Sequence, residues 1–358
     1  MATLKYDHVK ISAVSACVPR AIAYNTDLGY LLPQEEIEKT ISAIGIREKR
    51  ITDTETCASD LCAKAAEQLF QDNHIERSSI DMVLFMSQLP DYRMPATAPI
   101  LQHRLGLPKS TAAMDLSLAC SGYVYALSAA MAYASIPGID RVLLLDGDTV
   151  SKVVNKMDKV NVPLYGDAGT ATLVEKTPDI IPAHFTLYSD GAGEDAVKIK
   201  AGGARYPATA DNLLPHTDSK GNTRSENEVY MDGMDVFNFA LSNVPKSIKE
   251  ICGLAGQELS TIEHIVLHQA NKFMTDFIIK RLKYPLDRVP YSLDRYGNTS
   301  SASIPLTLSS ELSGRHPGNV ILCGFGAGLS WGTALLSLRD CNISRVIEYS
   351  YTPPETTV

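Results

Sequence analysis

The feature that most constrains this chain is an alternation of strand-like apolar runs with helix-like segments, set out twice along its length. Residues 80–86 and 111–118 read as buried strands and 121–134 as an alanine-rich helix. A third strand over 140–145 is expected to end at the turn-forming Asp146-Gly147-Asp148. In the second set, helices are expected over 236–254, 272–283 and 302–312, and strands over 262–267, 320–323 and 333–338. Within 272–283, Met274, Phe277, Ile278 and Leu282 recur at helical spacing. This order calls for an α/β architecture, a mostly parallel sheet with helices on its faces. The repeated strand–polar residue–helix theme divides the chain into a first half over 1–180, a second over 181–340 and a tail over 341–358. Two units suit a chain of 358 residues, given the usual domain size of about 150.

Composition narrows the function. A net charge of -8 argues against a general nucleic-acid binder, whose footprint is basic. No apolar run approaches the roughly 20 residues of a membrane span, and the first residues carry no signal-peptide stretch. Cysteines at 17, 57, 62, 120, 252, 323 and 341 form no CxxC pair. Such spacing fits reduced thiols in a cytoplasm better than a disulfide framework or a zinc site. Residues 201–228 are rich in Gly, Pro, Asn, Asp and Ser and read as a long surface excursion. Residues 349–358 read as an irregular end.

The strongest local signal is Asp115-Leu116-Ser117-Leu118-Ala119-Cys120-Ser121-Gly122. A strand stops, a cysteine follows, and small residues open a helix. A thiol there feels the positive end of the helix dipole and unpaired N–H groups, so a depressed pKa is expected. His268-Gln269-Ala270-Asn271 ends a strand and opens a helix, placing His268 at the carboxyl edge of a sheet, where ligands gather. Alone it also fits a satisfied core histidine. Tyr296-Gly297-Asn298-Thr299-Ser300-Ser301-Ala302-Ser303 is a glycine turn with a polar run before a helix, and alone it fits a helix cap. Gly324-Phe325-Gly326-Ala327-Gly328-Leu329-Ser330-Trp331-Gly332 is not the dinucleotide fingerprint GxGxxG. Its third glycine falls one position early, and a strand follows. A glycine turn between strands instead lets backbone N–H groups approach a ligand oxygen.

Together these pieces resemble the ketoacyl-acyl-carrier-protein synthase III family. Gly45-Ile46-Arg47-Glu48-Lys49-Arg50 and Tyr165-Gly166-Asp167-Ala168-Gly169 add to the likeness, which spans residues 9–338. It implies a five-layered α-β-α-β-α thiolase-like fold of two duplicated halves, a homodimer, no cofactor and acyl carrier protein (ACP) as partner. It implies that Cys120, His268 and Asn298 share one active site. Cys120 would take the acyl group, and His268 and Asn298 would stabilise the enolate left by decarboxylation of malonyl-ACP. The backbone N–H groups of Cys120 and Ala327 match the oxyanion hole, Phe325 the ring beside the departing carboxylate, and Asn271 a pocket position. Asparagine at 298 favours carbon–carbon bond formation over transfer to a hydroxyl or amine, for which relatives carry Asp.

The sequence also departs from the family pattern. The tryptophan and arginine that hold coenzyme A fall near Lys39 and Ala43, and another adenine-contacting arginine is Lys152. Met94 replaces the acyl-pocket phenylalanine contributed across the dimer. A carrier-protein arginine is Phe273, beside Lys272. Lys272, Lys280 and Lys283 form a cationic stripe for an acidic carrier, extended by Arg47, Lys49 and Arg50. Two alternatives remain open: a related condensing enzyme or acyltransferase of secondary metabolism using an unusual acyl donor, and a non-catalytic thiolase-fold partner subunit.

Overall fold

The structure is a computed structural model, described here for residues 2–351. Two sheets carry it. In the seven-stranded first sheet, Asn342–Ile343 and Ile347–Tyr349 both pair with Val9–Pro19; Ala168–Lys176, Arg141–Asp148, Met82–Met86 and Ala112–Leu116 follow in that order. The five-stranded second sheet runs Ala2–Tyr6, Ala183–Ser189, Ser330–Ser337, Asn319–Gly326, His264–Leu267. The sheets are mixed, where a mostly parallel arrangement was expected. Met82–Met86 lies parallel to both its neighbours, but Ala168–Lys176 runs antiparallel to both of its own. In the second sheet, Asn319–Gly326 and Ser330–Ser337 are joined by so short a turn that they must pair antiparallel.

Three apolar cores, the central one wrapping the middle helices on both sides, hold five layers together. Helices Ala58–Asn73 and Thr97–Arg104 bury Leu61, Leu69 and Leu101 against the outer face of the first sheet. Between the sheets lie helices Gly122–Ser135 and Ser303–Glu311, where Tyr123, Leu127, Ile304 and Leu308 meet residues of both sheets. Helices Gly233–Leu254 and Lys272–Leu282 close the far side of the second sheet through Val244, Ile248, Ile278 and Ile279. That is the expected α-β-α-β-α order.

The halves interlock at the chain ends. Ala2–Tyr6 joins the second sheet, whereas 342–343 and 347–349, read as tail, pair parallel with Val9–Pro19 in the first. Those short segments gain partners by adding to a sheet edge, which no local periodicity announces. The rest of the expected irregular end, 352–358, lies outside the described residues.

Asp146-Gly147-Asp148 is not the expected turn. The strand continues through these residues and both aspartates are fully buried. Gly147 faces Gly169 across the sheet, and a Cβ there would come 2.8 Å from Cys62 Sγ. The excursion over 201–228 contains only one small hairpin, His216–Thr217 with Thr223–Arg224, tied down by Arg224 on Asp158 and Asp218.

Candidate active site

Cys120 lies between strand Ala112–Leu116 and helix Gly122–Ser135, one residue before the helix N-cap Ser121. The turn is crowded by design of its neighbours. A Cβ at Gly326 would stand 2.7 Å from Cys120 Cβ, and one at Gly324 would stand 3.0 Å from the Cys120 carbonyl oxygen. Only glycines let the second sheet reach the cysteine this closely. The same strand then turns at Ala327, whose carbonyl accepts the Ser330 hydroxyl at 3.0 Å, and Ser330 in turn meets Ser121 Oγ at 2.6 Å.

His268 follows strand His264–Leu267 directly, and its N–H bonds the Cys323 carbonyl, continuing the ladder for one residue. Its Nδ1 lies 2.8 Å from Ser303 Oγ, an atom that also accepts the Gln269 N–H at 3.3 Å. The Phe325 ring meets the imidazole edge to face, with centroids 5.5 Å apart. Burial lowers the His268 pKa to about 3, so the ring is neutral at working pH.

Asn298 is held by backbone. Its N–H donates to Leu164 O, and its carbonyl accepts from Gly166 N, a single parallel bridge built on the Tyr165-Gly166 motif. Asn298 Oδ1 accepts the Ser300 N–H at 3.0 Å. The amide oxygen is thereby occupied, and the two Nδ2 hydrogens remain for the cavity.

These residues line one open cavity, ≈ 990 Å³ with the solvent at its mouth included. Cys120, His268, Asn298, Asn271, Phe325 and Ala327 all contribute to its wall. Asn271 also caps helix Lys272–Leu282, its Oδ1 accepting the Met274 N–H at 2.8 Å. Sequence reading missed the apolar wall of Val150, Val153, Leu164, Val229 and Met231, because those residues come from separate loops and strands. It also assigned no role to Ser300 or Ser303.

The depressed thiol pKa expected from the helix start is reversed. Cys120 keeps some surface toward the cavity, where water tempers the effect, but burial pushes the thiol up to about 12, and the carboxylates of Asp148 and Asp146 add to the rise.

Other expected positions lie elsewhere. Met94 is 85% exposed and does not line this chain's cavity. Lys152 donates to the Thr54 carbonyl at 3.0 Å. Lys280 and Lys283 are exposed on or just after the helix that supplies Met274, but Lys272 is paired with Asp276 four residues on, which stands inside the expected cationic stripe. Lys49 cannot extend that stripe: it is buried, donates to Asn25 Oδ1 at 2.8 Å, and burial lowers its pKa to about 8. Arg50 is turned to Glu348 and the Pro19 carbonyl.

Two family models fit the chain: 3-oxoacyl-[acyl-carrier-protein (ACP)] synthase III over residues 114–193 and its C-terminal counterpart over 252–338. A beta-ketoacyl-[acyl-carrier-protein] synthase III of Rhodopirellula baltica is 35% identical over 349 residues, covering 91% of this chain and 97% of the relative. The chain belongs to the 3-oxoacyl-[acyl-carrier-protein] synthase III family. It is a condensing acyltransferase with that family's thiolase-like fold. A crystal structure of 3-oxoacyl-(acyl-carrier protein) synthase from Burkholderia xenovorans LB400 superposes with a TM-score of 0.91 at 36% identity, covering 97% of this chain and 99% of the other. The priming beta-ketosynthase of the R1128 polyketide pathway gives a TM-score of 0.80 at 26% identity, covering 93% and 97%. Among the described residues no helix is long and apolar enough to cross a membrane, and no cluster of three or more His, Cys, Asp or Glu is arranged for a metal.

Proposed function

We propose that this synthase III condenses an acyl thioester with malonyl-ACP, with loss of carbon dioxide, through an acyl group carried on Cys120. One observation carries the reading: Cys120, His268 and Asn298 face the same cavity with the Asn298 oxygen already engaged. Cys120 Sγ attacks the thioester carbonyl while the backbone N–H groups of Cys120 and Ala327 receive its oxygen, and the donor's sulfur leaves. Malonyl-ACP then releases carbon dioxide. The electron pair left behind forms an enolate whose oxygen accepts from Asn298 Nδ2 and His268 Nε2–H. That tautomer is assigned to suit the role: with Ser303 Oγ donating to Nδ1, the imidazole proton rests on Nε2. The enolate carbon attacks the acyl carbonyl, and the Cys120 sulfur departs.

The supporting surroundings fit the same reading. Val150, Val153, Leu164, Val229 and Met231 offer an apolar wall to an acyl chain. Lys280 and Lys283 offer positive charge to an acidic carrier protein, with Lys152 and Lys272 as further carrier contacts. The enzyme acts as a cytoplasmic homodimer, in which the exposed Met94 completes the other subunit's acyl pocket, and it calls on no cofactor. Seven free thiols among the described residues suit a reducing compartment.

The test is to incubate the protein with acyl donors and labelled malonyl-ACP and follow both products. Equal amounts of β-ketoacyl-ACP and carbon dioxide are expected. Acyl transfer without carbon dioxide release would refute condensation.

A further inference from the structure

If Cys120 is the nucleophile, as that reading holds, its proton needs a destination. His268 is a poor one, because burial keeps it neutral down to about pH 3. A polar group at the sulfur is the Ser300 hydroxyl, 3.9 Å from Cys120 Sγ. Ser300 has φ 54°, a left-handed conformation uncommon for a residue with a Cβ, and it is held there by its N–H bond to Asn298. The Ser300 hydroxyl favours the ionised form of Asp148, and the helical turn Ser300–Ala302 packs against strand Arg141–Asp148.

Asp148 is fully buried. Its Oδ1 accepts Ser87 Oγ at 2.9 Å and Gln88 N–H at 2.8 Å, while its Oδ2 has no partner of ordinary hydrogen-bond geometry. A buried carboxylate oxygen left open in this way is uncommon and asks for an explanation. Asp148 ends the strand on which the Ser300–Ala302 turn packs, and the Ser300 hydroxyl lies at the Cys120 sulfur.

We propose that Asp148 is the proton acceptor for Cys120, reached through the Ser300 hydroxyl, and that it returns the proton when condensation frees the sulfur. In acylation the Cys120 S–H bond breaks as the S–C bond forms. The sulfur's proton passes to Ser300 Oγ while the Ser300 proton passes to Asp148. The donor's sulfur leaves as a thiolate and takes a proton from solvent. In condensation the C–S bond to Cys120 breaks, and the sulfur recovers its proton from Asp148 by the reverse route. Each turnover consumes one solvent proton, balancing the carboxylate lost as carbon dioxide.

The surroundings keep this titration separate. The titratable groups facing Asp148 are Asp146 on its own strand, Cys120 at the nucleophile turn and Cys62 on helix Ala58–Asn73. Burial holds Asp146 and Cys62 well above their usual ranges, and the Ser301 hydroxyl donates to Asp146 Oδ1 at 2.5 Å. Burial raises Asp148 only to about 6, with Ser300, Gln88 and Ser87 opposing. Two neighbouring carboxyls with separated pKa values can hold different protonation states at neutral pH.

The experiment measures the acylation rate of Cys120 by intact-protein mass from pH 5 to 8, for wild type, Asp148→Asn, Ser300→Ala and the double variant. Wild-type acylation should fall as pH drops through about 6. Each single variant should be about 100-fold slower at pH 7 and lack that limb, and the double variant should be no slower than either. If Asp148→Asn does not fold, by circular dichroism and thermal melting, Ser300→Ala decides alone. Near-wild-type acylation in a folded variant, a retained limb, or losses that multiply in the double variant would overturn the relay. Failure of wild type to acylate at Cys120 would instead overturn the condensation reading on which the relay rests.

Discussion

Asn298 Oδ1 accepts the Ser300 N–H at 3.0 Å, and that contact decides which end of the amide a substrate meets. With the oxygen engaged, the cavity receives the NH2 group, a neutral donor suited to an enolate. Replacing Asn298 with Asp therefore presents an acceptor where a donor is needed. Asn298→Asp should lower malonyl decarboxylation by about 10²–10³-fold while Cys120 still becomes acylated. Carbon dioxide release and intact mass, measured on one preparation, separate the steps; lost acylation with decarboxylation intact would reverse the assignment.

The approach of Gly326 to Cys120 sets a steric limit. A methyl group there would come 2.7 Å from Cys120 Cβ. Gly326→Ala should cost about 1–3 kcal/mol of stability through overpacking and slow acylation at least tenfold. Urea unfolding and acylation kinetics check both. Unchanged values would show that the strand has room to shift.

Burial of neutral His268 carries a pH signature. Its folded pKa of about 3 lies below the unfolded value of 6.5, so the unfolded chain binds the proton first. The contribution is complete above pH 6.5 and is lost as pH falls from there toward 3. Raised buried carboxyls such as Asp148 slope the other way, so the comparison is with His268→Gln. Wild-type stability relative to that variant should drop by up to about 1.4 kcal/mol per pH unit over this window. Urea unfolding at pH 7, 6 and 5 measures it; a constant difference would contradict a buried neutral ring.

Lys272 is neutralised by Asp276, whereas Lys280 and Lys283 are exposed with no ion-pair partner among the described residues. Charge reversal at 280 and 283 should therefore slow acylation from a carrier-protein thioester several-fold at low salt, and Lys272→Ala should do less. The same acyl group on coenzyme A should be little affected. Added salt should erase the difference, since steering between exposed charges is screened within about 10 Å at 0.1 M. Equal, salt-independent rates from both donors would defeat the carrier-docking proposal.

Much of the site was legible because its signals are local. A strand stop, Cys120 and a run of small residues mark a strand-to-helix turn, and the glycines of 324–328 mark a close approach. The burial of Asp146 and Asp148 was not legible. Locally Asp-Gly-Asp reads as a turn, and only Ser87, Gln88 and Ser301, distant in sequence, let the strand carry two buried carboxyls. The same carboxyls and the depth of the pocket raise the Cys120 thiol, which no reading of the helix start alone could supply. Lys49 looked like a surface cation in a basic run until Asn25 supplied its buried partner.

The central claim is that catalysis passes through an acyl group on Cys120. Intact-protein mass followed by peptide mapping, after exposure to a panel of acyl-coenzyme A and acyl-carrier-protein donors, tests it most directly. The account predicts one acyl group per chain, on the Cys120 peptide, removed when malonyl-ACP is added. An acyl group on Cys57 or Cys62 instead, or full condensation with Cys120 never modified, would contradict it.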